Sequence, residues 1–152
     1  MKKKKEFWYT ASGYAVIFLL ILAAMMINFY PGGYGYVYSE ETNEMTLERG
    51  MIFKEYKTIE VPEDEGLRYS LYEVQVESAI QTWIFVLMLS IFSVYLLQRV
   101  IPAYRNRKEQ GIAVKDIIAA LLLAASLTTI VMLLISLSNH LQYLSQVFNS
   151  AP

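Results

Sequence analysis

Three stretches of this 152-residue chain carry no Asp, Glu, Lys or Arg at all: residues 7–39, 78–98 and 117–152. Each contains an apolar core, 14–30, 79–97 and 117–138, close to the roughly 20 residues a helix needs to cross a hydrocarbon layer about 30 Å thick. A single charge at the centre of such a helix costs on the order of 2.5–3.5 kcal/mol on insertion scales, so uninterrupted windows of this length point to a lipid environment. The expected fold is a membrane all-α bundle of three transmembrane helices, with a small extracytoplasmic β-rich insertion, an antiparallel meander, between helices 1 and 2.

Charge orients the bundle. Residues 31–79 hold four basic side chains (Arg49, Lys54, Lys57, Arg68) against eleven acidic ones, a net of −7, while the rest of the chain has nine against three, a net of +6. Those nine are Lys2, Lys3, Lys4 and Lys5 before the first apolar core, and Arg99, Arg105, Arg107, Lys108 and Lys115 between the second and third. Short basic loops stay on the cytoplasmic side. The expected order is therefore a basic cytoplasmic N-terminus (1–13), transmembrane helix 1 (14–30), an acidic extracytoplasmic segment (31–78), transmembrane helix 2 (79–101), a basic cytoplasmic loop (102–111), transmembrane helix 3 (112–138) and an extracytoplasmic helical extension and tail (139–152). A cell membrane, plasma or inner, is the expected location.

A basic start followed by an apolar run also describes a secretory signal peptide. Here the run continues through Met25, Met26 and Ile27 to Tyr30, and no small-x-small pair follows it. An uncleaved first span is the better reading. Cysteine is absent, which removes disulfide staples, thiolate metal sites and cysteine nucleophiles.

The first helix should end before Pro31-Gly32-Gly33, which cannot continue it cheaply. Tyr34, Tyr36 and Tyr38 then read as an outer aromatic belt leading into a strand, in preference to a ligand site. Residues 45–48 are expected to pair with the run after Gly50, with a bend near 54–58 and a turn at 62–66. Tyr72, Val74 and Val76 alternate with Glu73, Gln75 and Glu77, which reads as a last strand of period two. Helix 2 should start near Ala79 and stop at Pro102, because the residue before a proline is pushed out of helical geometry. A helix running unbroken from 112 to 148 would be about 55 Å long. Its last turns would project outside with Leu141, Leu144, Val147 and Phe148 as an apolar stripe able to cover the meander, which at some 45 residues is too small to stabilise itself by burial alone.

Chemistry is sparse. The spans lack ionisable residues at membrane depth, the usual flag of proton relays and ion paths. Ser90, Ser93, Ser126, Thr128, Thr129 and Ser136 could line an oligomeric pore, although such hydroxyls more commonly bond their own backbone or join helices. Ala120, Ala124 and Thr128 form a small-residue ridge and a candidate helix-packing face. His140 stands alone, without the second imidazole or the carboxylate of a metal site and without the partners of a catalytic triad. The acidic turn Glu63-Asp64-Glu65-Gly66 lacks the spacing of a calcium loop. Lys2, Lys3, Lys4, Lys5, Arg105, Arg107 and Lys108 are candidate contacts to anionic lipid headgroups. No folded basic domain exists to bind nucleic acid.

No catalytic, metal or cofactor site is therefore expected. The leading expectation is a non-enzymatic accessory or interaction subunit of a larger membrane assembly. Its candidate partner surface is Leu141, Leu144, Val147 and Phe148 together with Tyr72 and Val74. A homo-oligomeric channel or transport component is the alternative, and an outward sensor or immunity-type protein binding a basic peptide is the third. The partners implied are membrane lipids and either another membrane protein or further copies of the chain.

Overall fold

The structure, a computed structural model, describes residues 2–39, 41–61, 66–105 and 113–151, with side chains described from Ala11 onward. The elements follow in the order α1 (Lys2–Ile27), β1 (Gly35–Ser39), β2 (Glu44–Arg49), β3 (Glu55–Glu60), α2 (Gly66–Arg105) and α3 (Val114–Ser150). Helix α1 stops at Asn28, whose φ of 54° is a left-handed conformation that asparagine tolerates better than most residues. Phe29 N–H then reaches back to the Ala23 carbonyl at 3.2 Å. Gly32 and Gly33, at φ 90° and 55°, turn the chain into the sheet.

The three strands form an antiparallel sheet in the order β1-β2-β3, as the expected meander requires. Its register places Tyr38 opposite Met45 and Met45 opposite Ile59. Period two then puts Met45, Leu47 and Ile59 on one buried face and Val37, Thr46 and Thr58 on the other. Asn43, at φ 51°, locks the first turn to the end of β3. Its Oδ1 accepts from the Tyr38 hydroxyl at 2.8 Å, and its Nδ2 donates to the Val61 carbonyl at 3.1 Å. Residues 51–53, directly after Gly50, are the bend joining β2 to β3, so β2 pairs with Glu55–Glu60 and not with the run immediately after the glycine.

The main correction concerns residues 66–78. The expected strand through Tyr72, Val74 and Val76 is instead the beginning of α2, which runs without a break from Gly66 to Arg105. Alternation over six residues competes there with a longer helical pattern. Tyr69, Tyr72, Val76 and Ala79 are all buried and are spaced as one helix face, so the longer period prevails. Pro102 does not stop α2 either. It removes one hydrogen bond a turn before the end, and the chain completes that turn.

At 40 and 37 residues, α2 and α3 are about 60 and 55 Å long. They run antiparallel, as their cross-links record from one end to the other. Arg68 meets Ser150, Gln75 meets His140, Ser93 meets Ser126 at 3.0 Å, and Arg99 lies 4.0 Å from Asp116. Both helices are long and apolar enough to cross a membrane, and only 22% and 11% of their most apolar windows is buried. The core helix of a water-soluble domain would be mostly enclosed. Helix α1 contributes a shorter apolar run, Ala11–Ile27.

Candidate functional site

The sheet lies against the first turns of α2 and the last turns of α3. There Met45, Leu47 and Ile59 meet Tyr69, Tyr72, Val76, Leu144, Val147 and Phe148 in one buried cluster, joined by Tyr30 and Tyr34 from the exit of α1. The stripe on α3 thus covers the meander within the same chain. Leu144, Val147, Phe148 and Tyr72 are buried and Leu141 is half-buried, so as a surface for a partner they are already occupied. Val74 alone of that set is exposed. The reason is geometric: with Tyr72 facing the sheet, a residue two positions on in a helix turns some 200° away.

Electrostatics fasten this joint. Lys57 Nζ donates to the Ala151 carbonyl at 2.6 Å, Arg49 Nη1 donates to Asn149 Oδ1 at 2.9 Å, and Arg68 donates to Ser150 Oγ. Three of the four basic residues in the acidic segment therefore converge on the C-terminal end of α3, where the helix dipole is negative. The fourth, Lys54, pairs with Glu48 at 2.6 Å. Sequence reasoning counted these cations without seeing that the helix end would gather them. The buried Tyr72 hydroxyl donates to the Gly35 carbonyl at 3.5 Å, and burial, then Tyr34 and Glu48, hold its pKa above the ordinary tyrosine value. The Tyr36 hydroxyl donates to Glu77 Oε1 at 3.2 Å and is raised likewise by burial and by Glu73 and Glu77.

The small-residue ridge is not the face that α3 turns to α2. Ala120, Ala124 and Thr128 face outward, while Ala119 and Ser126 are buried. Helix α3 meets α2 along the face that includes these two and Leu137. Ser93 of α2 sits opposite Ser126 there, the two hydroxyls 3.0 Å apart. Of the remaining hydroxyls, Thr128 and Thr129 donate to the Ala124 and Ala125 carbonyls at 3.0 and 2.9 Å, and Ser90 donates to Val86 at 2.7 Å. They satisfy their own helices.

His140 is half-buried between Ser136, at 3.3 Å from Nε2, and Gln75 at Nδ1, an interhelical polar link. Among the described residues no group of three His, Cys, Asp or Glu could hold a metal ion. Arg105 is exposed; the side chains of Lys2, Lys3, Lys4 and Lys5, and the residues Arg107, Lys108, Glu63, Asp64 and Glu65, lie outside what the structure describes.

Two exposed apolar features are not legible as units in the sequence, although Val74 belongs to the expected partner surface. Leu67, Leu71 and Val74, at 76%, 43% and 55% exposure, follow i, i+4, i+7 spacing on the side of α2 turned away from the sheet. Met51, Ile52 and Phe53, at 42%, 77% and 92%, form the β2–β3 hairpin tip. The first was hidden by the strand reading of 72–77, the second by taking 51–53 as strand.

The architecture defines a three-helix protein in which two membrane-competent helices carry a small antiparallel sheet at one end. Compared with known proteins, the chain matches no protein family, no curated protein and no solved structure.

Proposed function

We propose that this chain is a small multi-pass cell-membrane protein with its N-terminus cytoplasmic and its C-terminus outside, acting as a non-enzymatic interaction subunit that meets another membrane protein at its outer end. The observation that carries the reading is the exposed stripe Leu67, Leu71 and Val74. It precedes the charge-free core of α2, on turns that flank acidic side chains, where a water-facing helix would present polar residues. Three apolar anchors at this spacing are what a partner groove takes from a helix. The membrane setting is supported by the exposed apolar lengths of α2 and α3, and the orientation by the basic residues at the end opposite the sheet.

A photo-crosslinking residue at position 71 in native membranes tests this, with one at Thr46 on the outer sheet face as comparison. A discrete protein adduct from position 71 alone, abolished by Leu67→Asp with Val74→Asp, is the expected result. Adducts with lipid only, or none, overturn it.

A homo-oligomeric channel or transport component is the second reading, favoured by the outward ridge Ala120, Ala124 and Thr128, since small residues let two helices approach closely. A crosslinked dimer from position 124, with ion flux in liposomes containing only this chain, would support it.

A further inference from the structure

We infer that the hairpin tip Met51-Ile52-Phe53 is a lipid anchor that enters the outer membrane surface beside α1; this rests on the membrane reading above. Among the described residues these three consecutive apolar side chains stay exposed, Met51 at 42%, Ile52 at 77% and Phe53 at 92%. Their backbone is nevertheless held in place. Gly50 N–H donates to the Gly32 carbonyl at 3.2 Å, and a Cβ on Gly33 would lie 2.5 Å from the Gly50 carbonyl carbon. The tip is thus fastened to the turn by which the chain leaves α1, five residues after the apolar run ends at Ile27.

Helix α3 marks the same level. A Cβ on Gly32 would lie 2.9 Å from Leu141 Cδ2, and Leu141 sits about 5 Å of helical rise beyond Ser138, where the third apolar core gives way to Asn139 and His140. The fastened end of the tip therefore lies where the hydrocarbon layer ends on two helices. The charges flanking the tip on the two strands, Glu48, Arg49, Lys54 and Glu55, sum to zero, and Lys54 and Glu48 neutralise each other at 2.6 Å. Apolar and aromatic side chains on a short, rigid, locally neutral projection favour the boundary between headgroups and acyl chains. A lipid surface is the occupant because the tip is tied through Gly50 and Gly32 to the turn that directly follows the exposed apolar end of α1, Met25, Met26 and Ile27.

The test uses the full chain in phosphatidylcholine liposomes, with Trp8→Phe and Trp83→Phe to remove background and a single reporter, either Phe53→Trp or Phe85→Trp. Phe85 is exposed on the charge-free length of α2 and reports the membrane itself. If the tip sits about 5–10 Å into the boundary region, phospholipid brominated near the headgroup should reduce emission of the Phe53→Trp reporter about twofold, with little quenching by aqueous iodide. Iodide quenching of that reporter alongside lipid quenching of Phe85→Trp overturns the anchor and leaves the membrane reading standing. Loss of lipid quenching at both positions overturns both. Protection from both quenchers that grows with protein density would assign the tip to contact between copies and also overturn the anchor.

Discussion

Arg49 and Asn149 close the molecule across one hundred positions of chain, Nη1 donating to Oδ1 at 2.9 Å. The same guanidinium stands 5.4 Å from the centre of the Phe148 ring, and the Lys57 ammonium lies 5.6 Å from it. Tyr34 packs against that ring edge-on, with centroids 6.4 Å apart. Phe148 is therefore the point at which the α1 exit, the sheet and the end of α3 become one body. It shares the second layer over the sheet with Tyr69, Tyr72, Val76, Leu144 and Val147.

Phe148→Ala should cost about 3–5 kcal/mol, the usual range for emptying a buried aromatic site. Arg49→Met keeps an aliphatic stem over the ring and gives up the exposed hydrogen bond to Asn149 and a cation–π contact, together worth about 1–2 kcal/mol. Reversible unfolding in detergent, followed by circular dichroism, separates the two. Equal losses would mean that charge, and not packing, holds the sheet on the helices.

Gly33 and Gly50 should resist substitution more than any surface position of the segment between α1 and α2. Both have positive φ, 55° and 118°. A Cβ on Gly33 meets the Gly50 backbone, and one on Gly50 would collide with the Phe53 carbonyl oxygen. Gly50→Ala is expected to lose about 1–3 kcal/mol from backbone strain alone. Gly13 is helical with open space around its Cα, and Gly13→Ala should be neutral or stabilising by up to about 1 kcal/mol. Thermal unfolding of Gly33→Ala, Gly50→Ala and Gly13→Ala side by side checks the ordering, and a tolerated Gly50→Ala would contradict the close backbone contact.

Much of the architecture could be read in advance because charge exclusion is a strong signal over long windows. The two long apolar helices, the sheet between α1 and α2, and the unbroken extension of α3 with Leu144, Val147 and Phe148 on one face all follow from it. The segment around Tyr72 failed for a physical reason. Over a few residues, period two and period 3.6 can fit the same apolar positions, and only Tyr69 and Ala79, further out, decide between them. The ridge at Ala120 left its neighbour open for another reason. Small residues mark where close approach is possible, and the partner helix chooses among several such faces. Whether a covering layer comes from the chain itself or from a partner also depends on tertiary placement, which composition does not encode. The three cations gathered at the end of α3 are invisible for the same reason.

The packing face of α3 can be tested directly. Ala119 is buried and Ala124 exposed, so Ala119→Leu should overpack the α2–α3 interface and cost about 1–3 kcal/mol. Ala124→Leu should leave monomer stability unchanged. Unfolding of dilute, monomeric protein in detergent gives the comparison. If Ala124→Leu is the damaging change, α3 is rotated from its position here.

Alkaline pH should loosen the joint between sheet and helices through Tyr72. Its phenol is fully buried, and burial, followed by Tyr34 and Glu48, raises its pKa above the ordinary value. The unfolded chain releases this proton near pH 10, whereas the folded chain keeps it. The neutral phenol's contribution is therefore fully present below about pH 10. Above that it falls by about 1.4 kcal/mol per pH unit until the folded group itself ionises. Tyr72→Phe has no proton to lose, so its stability should decline less steeply above pH 10. Tyr36, raised by burial and by Glu73 and Glu77, keeps part of the slope in that variant. Chemical unfolding at a series of pH values from neutral to strongly alkaline checks this. An unchanged slope in Tyr72→Phe would mean that the ring is hydrated in the folded protein and that the buried cluster between sheet and helices is open to water.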